Sequence, residues 1–193
     1  MDLDQDLSQA LIDQFVGVAH GDFIQVQELL ERHSGLLNAN ATWNETAIQA
    51  ATQTGQVEIA EYLLAKGAPL DICTAAMLGK AAQVEETLRS DPGQAEATGA
   101  HGLPVLFFPV ITAHKGIAET LLAHGARIDA GQGFNTPLHG AVLFGQTEMV
   151  TWLLDHGASV QVLDYNGKTP LQLAEDSGQA EIAGLLRKAE PPG

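Results

Sequence analysis

The sequence predicts an all-α solenoid of about six stacked helix-turn-helix units, and three observations predict it. The stretch Thr136 to Ala158 reads as a complete helical hairpin. Copies of it recur along the chain with their punctuating residues at fixed offsets. The composition is 45% hydrophobic with only 5% aromatic, which suits helices packed through small residues.

Each residue type in the hairpin has a physical role. The Thr136 hydroxyl can cap a helix N-terminus, and Pro137 suits the first helical position, where its missing N–H would be unpaired anyway. Leu138, Ala141 and Val142 give a short apolar face, and Gly145 ends the helix where a left-handed residue is wanted. A second helix follows, with Glu148 in its first turn, apolar Met149, Val150, Leu153 and Leu154, and Gly157 as its stop. This apolar face is too small to stand alone, so it has to be buried on neighbouring units.

Thr46 to Ala68 repeats the pattern, with glycines again 9 and 21 residues after the threonine. Thr169 lies 33 residues after Thr136, with Gly178 nine residues on. Thr-Pro-Leu-His at 136–139, Leu-Leu-x-x-Gly-Ala at 63–68, 121–126 and 153–158, and Asp-x-x-Gly-x-Thr-Pro-Leu at 164–171 resemble the ankyrin-repeat family. The resemblance covers nearly the whole chain. It implies an ankyrin-repeat solenoid with short β-turn fingers on one edge. It also implies non-catalytic protein binding, as an adaptor, scaffold or inhibitor.

Taken in order, residues 1–11 read as an acidic leader, and 12–189 as a single ankyrin-repeat domain with repeats starting near 12, 46, 70, 104, 136 and 169. Residues 190–193 read as a tail. Repeat one (Phe15, Val16, Val18, then Val26, Leu29, Leu30) lacks the threonine-proline start and carries many acids, as a solvated end cap should. In repeat two, Thr46 with Gln49 makes a capping box, as does Thr169 with Gln172 in repeat six. Repeat three follows Gly67-Ala68 directly through Pro69 and Leu70, so about nine finger residues are missing. A notch on the finger edge is expected there. In repeat four Pro109 falls where a small helix residue belongs and is expected to kink or loosen that turn.

Charge and motifs exclude several classes. Twenty-four acids against nine bases leave a net charge of −15, unsuited to nucleic acid or an anionic membrane surface. Single Cys73 rules out an intrachain disulfide framework and reads as a small buried hydrophobe. No apolar run approaches a membrane span, and the acidic start does not resemble a signal peptide. The expectation is a cytoplasmic protein that is a monomer, with an apolar surface patch as its one route to a homo-oligomer. The seven histidines follow repeat positions: His139 holds the turn, while His124 and His156 sit before helix-ending glycines. No catalytic triad, metal motif or cofactor motif is present. Glu28–Arg32 and Glu85–Arg89 read as helix i,i+4 pairs on outer faces.

The resemblance also places the positions four, seven and eight after the leading threonine on the concave groove. In the middle repeats these include Met77, Leu78, Phe108, Ile111, Leu143 and Phe144, which form an expected apolar binding patch for a protein or peptide partner. Trp43, Phe134 and Tyr165 stand on the fingers as rim aromatics. Two other readings stay open. One is an acidic DNA-mimic or toxin-neutralising protein. The other is an enzyme or small-ligand binder at repeat four, which needs a closed polar pocket around His101 and His114.

Overall fold

The computed structural model describes residues 7–190. The leader residues Met1 to Asp6 and the tail residues Pro191 to Gly193 lie outside the described residues.

Among the described residues twelve α-helices form six antiparallel pairs: α1 (Gln9–Val18) with α2 (Phe23–Arg32), α3 (Ala47–Gln53) with α4 (Val57–Ala65), α5 (Ile72–Met77) with α6 (Ala81–Ser90), α7 (Phe107–Ile111) with α8 (Lys115–Ala123), α9 (Pro137–Leu143) with α10 (Thr147–Asp155), and α11 (Pro170–Asp176) with α12 (Ala180–Ala189). The first helices stack on one another in chain order, and second helices meet in the pairs α2 with α4, α6 with α8 and α10 with α12. The core lies between the two rows as one continuous apolar cluster, from Phe15 to Leu186. Strand pairing among the described residues is confined to an isolated antiparallel bridge, Thr98 with Pro104. The architecture is the all-α solenoid the repeats predict.

The local start signals act as expected in three pairs. Capping boxes close at Thr46/Gln49, Thr136/His139 and Thr169/Gln172. His139 is buried; its Nδ1 accepts from the Thr136 backbone N–H at 3.3 Å, and its Nε2 donates to the Lys168 carbonyl at 3.2 Å. It therefore ties its own helix start to the next finger. His20, His124 and His156 each set Nδ1 against a carbonyl three or four residues earlier, at 2.7–3.1 Å, a second hydrogen bond to a carbonyl that also accepts the histidine's own backbone N–H.

Elsewhere the structure departs from the expectation. The first helix begins at Gln9, not near 12, because the Ser8 side chain accepts from the Leu11 N–H and so starts the helix inside the expected leader. In repeat three the cap is Asp71, one residue past Leu70, accepting from the Thr74 N–H at 2.7 Å. Pro109 produces no kink. Bonds from Phe107 and Phe108 N–H to the carbonyls of Pro104 and Val105 delay the start of α7. Pro109 is then its third residue, inside the first turn, where no helix has an N–H partner. The outer-face pair on α6 is Arg89 with Glu86, a three-residue spacing, whereas Glu28–Arg32 forms as expected. The expected notch beside repeat three is also not open. The finger of repeat four, a short turn over Ala100–Gly102, reaches across it to repeat two.

Candidate functional site

The finger that crosses repeat three brings together residues far apart in the chain. Glu45, on the finger before α3, is buried, and its carboxylate is met from four sides. Oε1 accepts from Gln53 Nε2 at 2.6 Å, and Oε2 accepts from Trp43 Nε1 at 2.7 Å. The Nε2 atoms of His20 and His101 each lie 3.6 Å from Oε2. A buried carboxylate needs hydrogen-bond donors, which Gln53 and Trp43 supply, because burial without them is costly. His101 reaches this position in a left-handed conformation, φ 54°, that side chains other than glycine adopt only when held there. Gln53, whose amide also lies 3.0 Å from His20 Nε2, links this cluster to the end of α1, and His101 brings the finger of repeat four beside it.

Beside this cluster the concave side holds a cleft of about 380 Å³ lined by Gln53, His101, Leu103, Phe134, Asn135 and Tyr165. Repeats two, four, five and six all contribute to it. This is within the size range of sites that enclose a side chain or small ligand. Asn135 Oδ1 is hidden from solvent and has no hydrogen-bond partner.

The expected apolar patch divides. Met77, Phe108 and Ile111 are buried in the core and are not groove anchors. For Phe108 and Ile111 a neighbouring glycine makes the room. A Cβ at Gly99 would lie 2.4 Å from Phe108 Cζ, so the absence of a side chain there opens the space that takes this ring in. Phe107 uses Gly140 likewise, and Ile111 lies against the same glycine. Leu78 is partly buried against the core. Leu143 and Phe144 remain exposed, at 46% and 38%, and so do Phe134 at 51% and Tyr165 at 66%. Phe144 stands edge-on to Phe107, ring centroids 6.5 Å apart. Its Cε1 also approaches within 3.3 Å of the Cβ position of Gly55 in repeat two, which shows how tightly the inner face curls. Trp43 is half-exposed but pinned by its bond to Glu45.

His101 and His114 are not brought together. His101 lines the cleft, whereas the His114 ring covers Gly79, 2.7 Å from that residue's Cβ position. Burial, aided by nearby Asp71, pushes the Cys73 thiol well above its usual range, so it is an inert part of the core. Among the described residues, no cluster of His, Cys, Asp or Glu could hold a metal ion, and no helix is long and apolar enough to cross a membrane. Sequence reasoning missed Gln53, Leu103 and Asn135 as lining residues and Glu45 as their support. The one available signal was the missing finger of repeat three, which makes the fingers of repeats two and four neighbours.

Comparison with known proteins points to one architecture. The family model described as ankyrin repeats in three copies matches residues 106–191, and the single ankyrin-repeat model matches residues 43–75. The chain is 35% identical over 95 residues to human "Ankyrin repeat and SOCS box protein 11", covering 47% of this chain and 29% of that protein. It is 42% identical over 81 residues to "Putative ankyrin repeat protein YahD" of Escherichia coli (38% of this chain, 40% of that protein). A longer, weaker match is 22% over 175 residues to a "Transient receptor potential cation channel subfamily A member 1 homolog" of Caenorhabditis elegans, covering 86% of this chain but 14% of that protein. The matched part is thus a minor share of each relative's own length.

Proposed function

The chain belongs to the ankyrin-repeat family, whose repeats are generally protein–protein interaction modules, and we propose that it binds a protein or peptide partner, without catalysis, on the inner face of repeats five and six and their fingers. One observation carries this reading. Of the nine large hydrophobic side chains exposed among the described residues, five (Phe134, Leu143, Phe144, Leu163 and Tyr165) fall within residues 134–165. The solenoid does not need them for its own packing, since Leu138, Val142, Met149, Val150 and Leu153 already fill the core of that repeat. A concentration of exposed apolar groups in one region marks an interaction surface. Aromatic residues among them are the type that carries most of the energy at such surfaces.

The test compares affinity capture from the native cell for the wild-type chain and for Leu143→Ser combined with Tyr165→Ser, with Leu153→Ala as the core control. The double variant should melt within a few degrees of wild type while losing captured protein. Leu153→Ala should instead lose about 2–5 kcal/mol of stability. If the double variant melts as poorly as Leu153→Ala, or captures the same proteins as wild type, the assigned face is wrong.

A further inference from the structure

The cleft has a chemistry of its own, and we propose that it is a socket for an arginine side chain presented by the partner. This rests on the binding-face reading and adds the identity of the group received.

Gln53 supplies the first acceptor. A carboxylate can only accept, so the 2.6 Å contact to Glu45 Oε1 must be made by the amide NH2. The second N–H of that group is 3.0 Å from His20 Nε2. His20 sets Nδ1 at 3.1 Å from the Gly17 carbonyl, which needs a proton on Nδ1 and leaves Nε2 as the acceptor. Both Gln53 donors are therefore committed away from the cleft. Its Oε1 accepts no hydrogen bond among the described residues, so Gln53 offers the cleft an acceptor. Asn135 adds a second. Its Oδ1 is hidden and unpartnered, a state that favours capture of any donor brought within reach. The terminal torsion of an asparagine is broad, so Asn135, which lines the cleft, can turn its amide toward a donor there.

The walls agree with the acceptors. Phe134 and Tyr165 offer exposed ring faces, and Leu103 completes an apolar side. Aromatic faces attract cations, and a planar guanidinium can stack on them while its N–H groups point at acceptors in its own plane. No lysine or arginine lines the cleft, and the chain carries a net charge of −15, so the surrounding field favours a cation over an anion. The one basic side chain present, His101, turns Nε2 toward Glu45 at 3.6 Å. An ammonium group would satisfy the charge but not the combination of flat walls and separated acceptors.

The test uses the isotopically labelled full chain and three probes: N-acetyl-arginine methylamide, its lysine counterpart and its leucine counterpart. Nuclear magnetic resonance titration with the arginine probe should give saturable shifts at the Gln53 and Asn135 side-chain NH2 groups and at the backbone of His101, Leu103 and Phe134. The lysine probe should bind several-fold more weakly, and the leucine probe should leave those signals in place. Asn135→Leu and Tyr165→Ser should each weaken the arginine response by about tenfold, the loss of one buried hydrogen bond or one stacked ring. Both should leave the remaining spectrum unchanged. Leu143→Ser should not alter the arginine response. Absence of saturable shifts up to the solubility of the probe, or an equal response to lysine or leucine, would overturn the socket. If Leu143→Ser loses a captured partner while the arginine probe is inert, the socket fails and the binding face stands. If the arginine probe binds as expected but capture is insensitive to Leu143 and Tyr165, the binding face fails instead.

Discussion

Repeats four and five stand side by side and are built on opposite principles. Repeat five holds itself together locally. Thr136 and His139 close a capping box, Pro137 presets the first turn, and Gly145 ends the helix at φ 65° without strain. Repeat four has none of these: Pro104 replaces the threonine, Phe107 the capping partner, and Ala113 the glycine, still at φ 59°. Its helix is five residues long and is held by neighbours. Phe108 lies under Gly99, Phe107 fits over Gly140, and Thr112 Oγ1 donates to the Met77 carbonyl at 2.9 Å, whereas the bond from Gln146 Nε2 to the Ile111 carbonyl at 2.7 Å has its counterpart in repeat five, from Gln179 Nε2 to the Val142 carbonyl at 2.9 Å. A repeat array can therefore exchange local capping for inter-repeat packing without losing register. The exchange matters for function because repeat four supplies the finger that crosses repeat three and forms one wall of the cleft.

The largest break in this comparison is Phe108→Ala. If repeat four is held by packing, removing the ring leaves a cavity between Gly99 and Cys73 and should cost about 3–5 kcal/mol, read as a lowered denaturation midpoint. The same truncation at Phe144, which is 38% exposed, should cost far less. Equal losses would mean that Phe108 does not hold the repeat.

A smaller effect probes repeat five. Burial is the main cause that lowers the His139 pKa below its ordinary 6.5, opposed by the hydrogen bond to the Lys168 carbonyl. The unfolded chain then takes up this proton at higher pH than the folded one, so folding is favoured as pH rises. The contribution is complete above about 6.5 and is lost as pH falls from there through the lowered folded value. His139→Gln restores the partner found in repeats two and six and should flatten the acid side of the melting profile in that window. His139→Ala should lose about 1 kcal/mol at neutral pH as well. A glutamine variant with an unchanged acid slope would show that other groups set it.

The two repeats also show what a sequence discloses. Thr136, Thr46, Thr169 and the glycines nine residues after them act within a few residues of themselves, so the hairpins and their order were legible. Repeat four was legible only as an exception. Gly99 and Gly140 matter because rings from elsewhere in repeat four pass close to them, and no local pattern marks such a pairing. Met77, Phe108 and Ile111 were assigned to the groove by offset alone; Phe108 and Ile111 turn inward where a neighbouring glycine gives them room, and Met77 is buried in the same core. Phe134, Leu143, Phe144 and Tyr165 remain exposed, Phe144 even though its ring edge lies beside Gly55. The cleft was hidden for a further reason: its six lining residues come from four repeats and meet only because one finger is missing.

The smallest predicted effect sharpens the comparison most directly. Ala113 and Gly145 occupy the same helix-ending position, at φ 59° and φ 65°. A left-handed backbone costs a residue with a Cβ roughly 1–2 kcal/mol, and the greater freedom of glycine in the unfolded chain gives back roughly 0.5–1 kcal/mol of that. Ala113→Gly should therefore stabilise the chain by about 0.5–1 kcal/mol. Ala113 is exposed, so losing its methyl forfeits little packing. Gly145→Ala should destabilise by a similar amount, because a Cβ there meets nothing within 4 Å and only the backbone term remains. Urea midpoints for the two variants should thus shift in opposite directions with unchanged slopes. If Ala113→Gly lowers the midpoint, the methyl is part of what holds repeat four, and the strain at this position is not relieved by glycine. If Gly145→Ala has no effect, repeat five does not depend on its own helix stop, and the contrast between local capping and packing fails at that point.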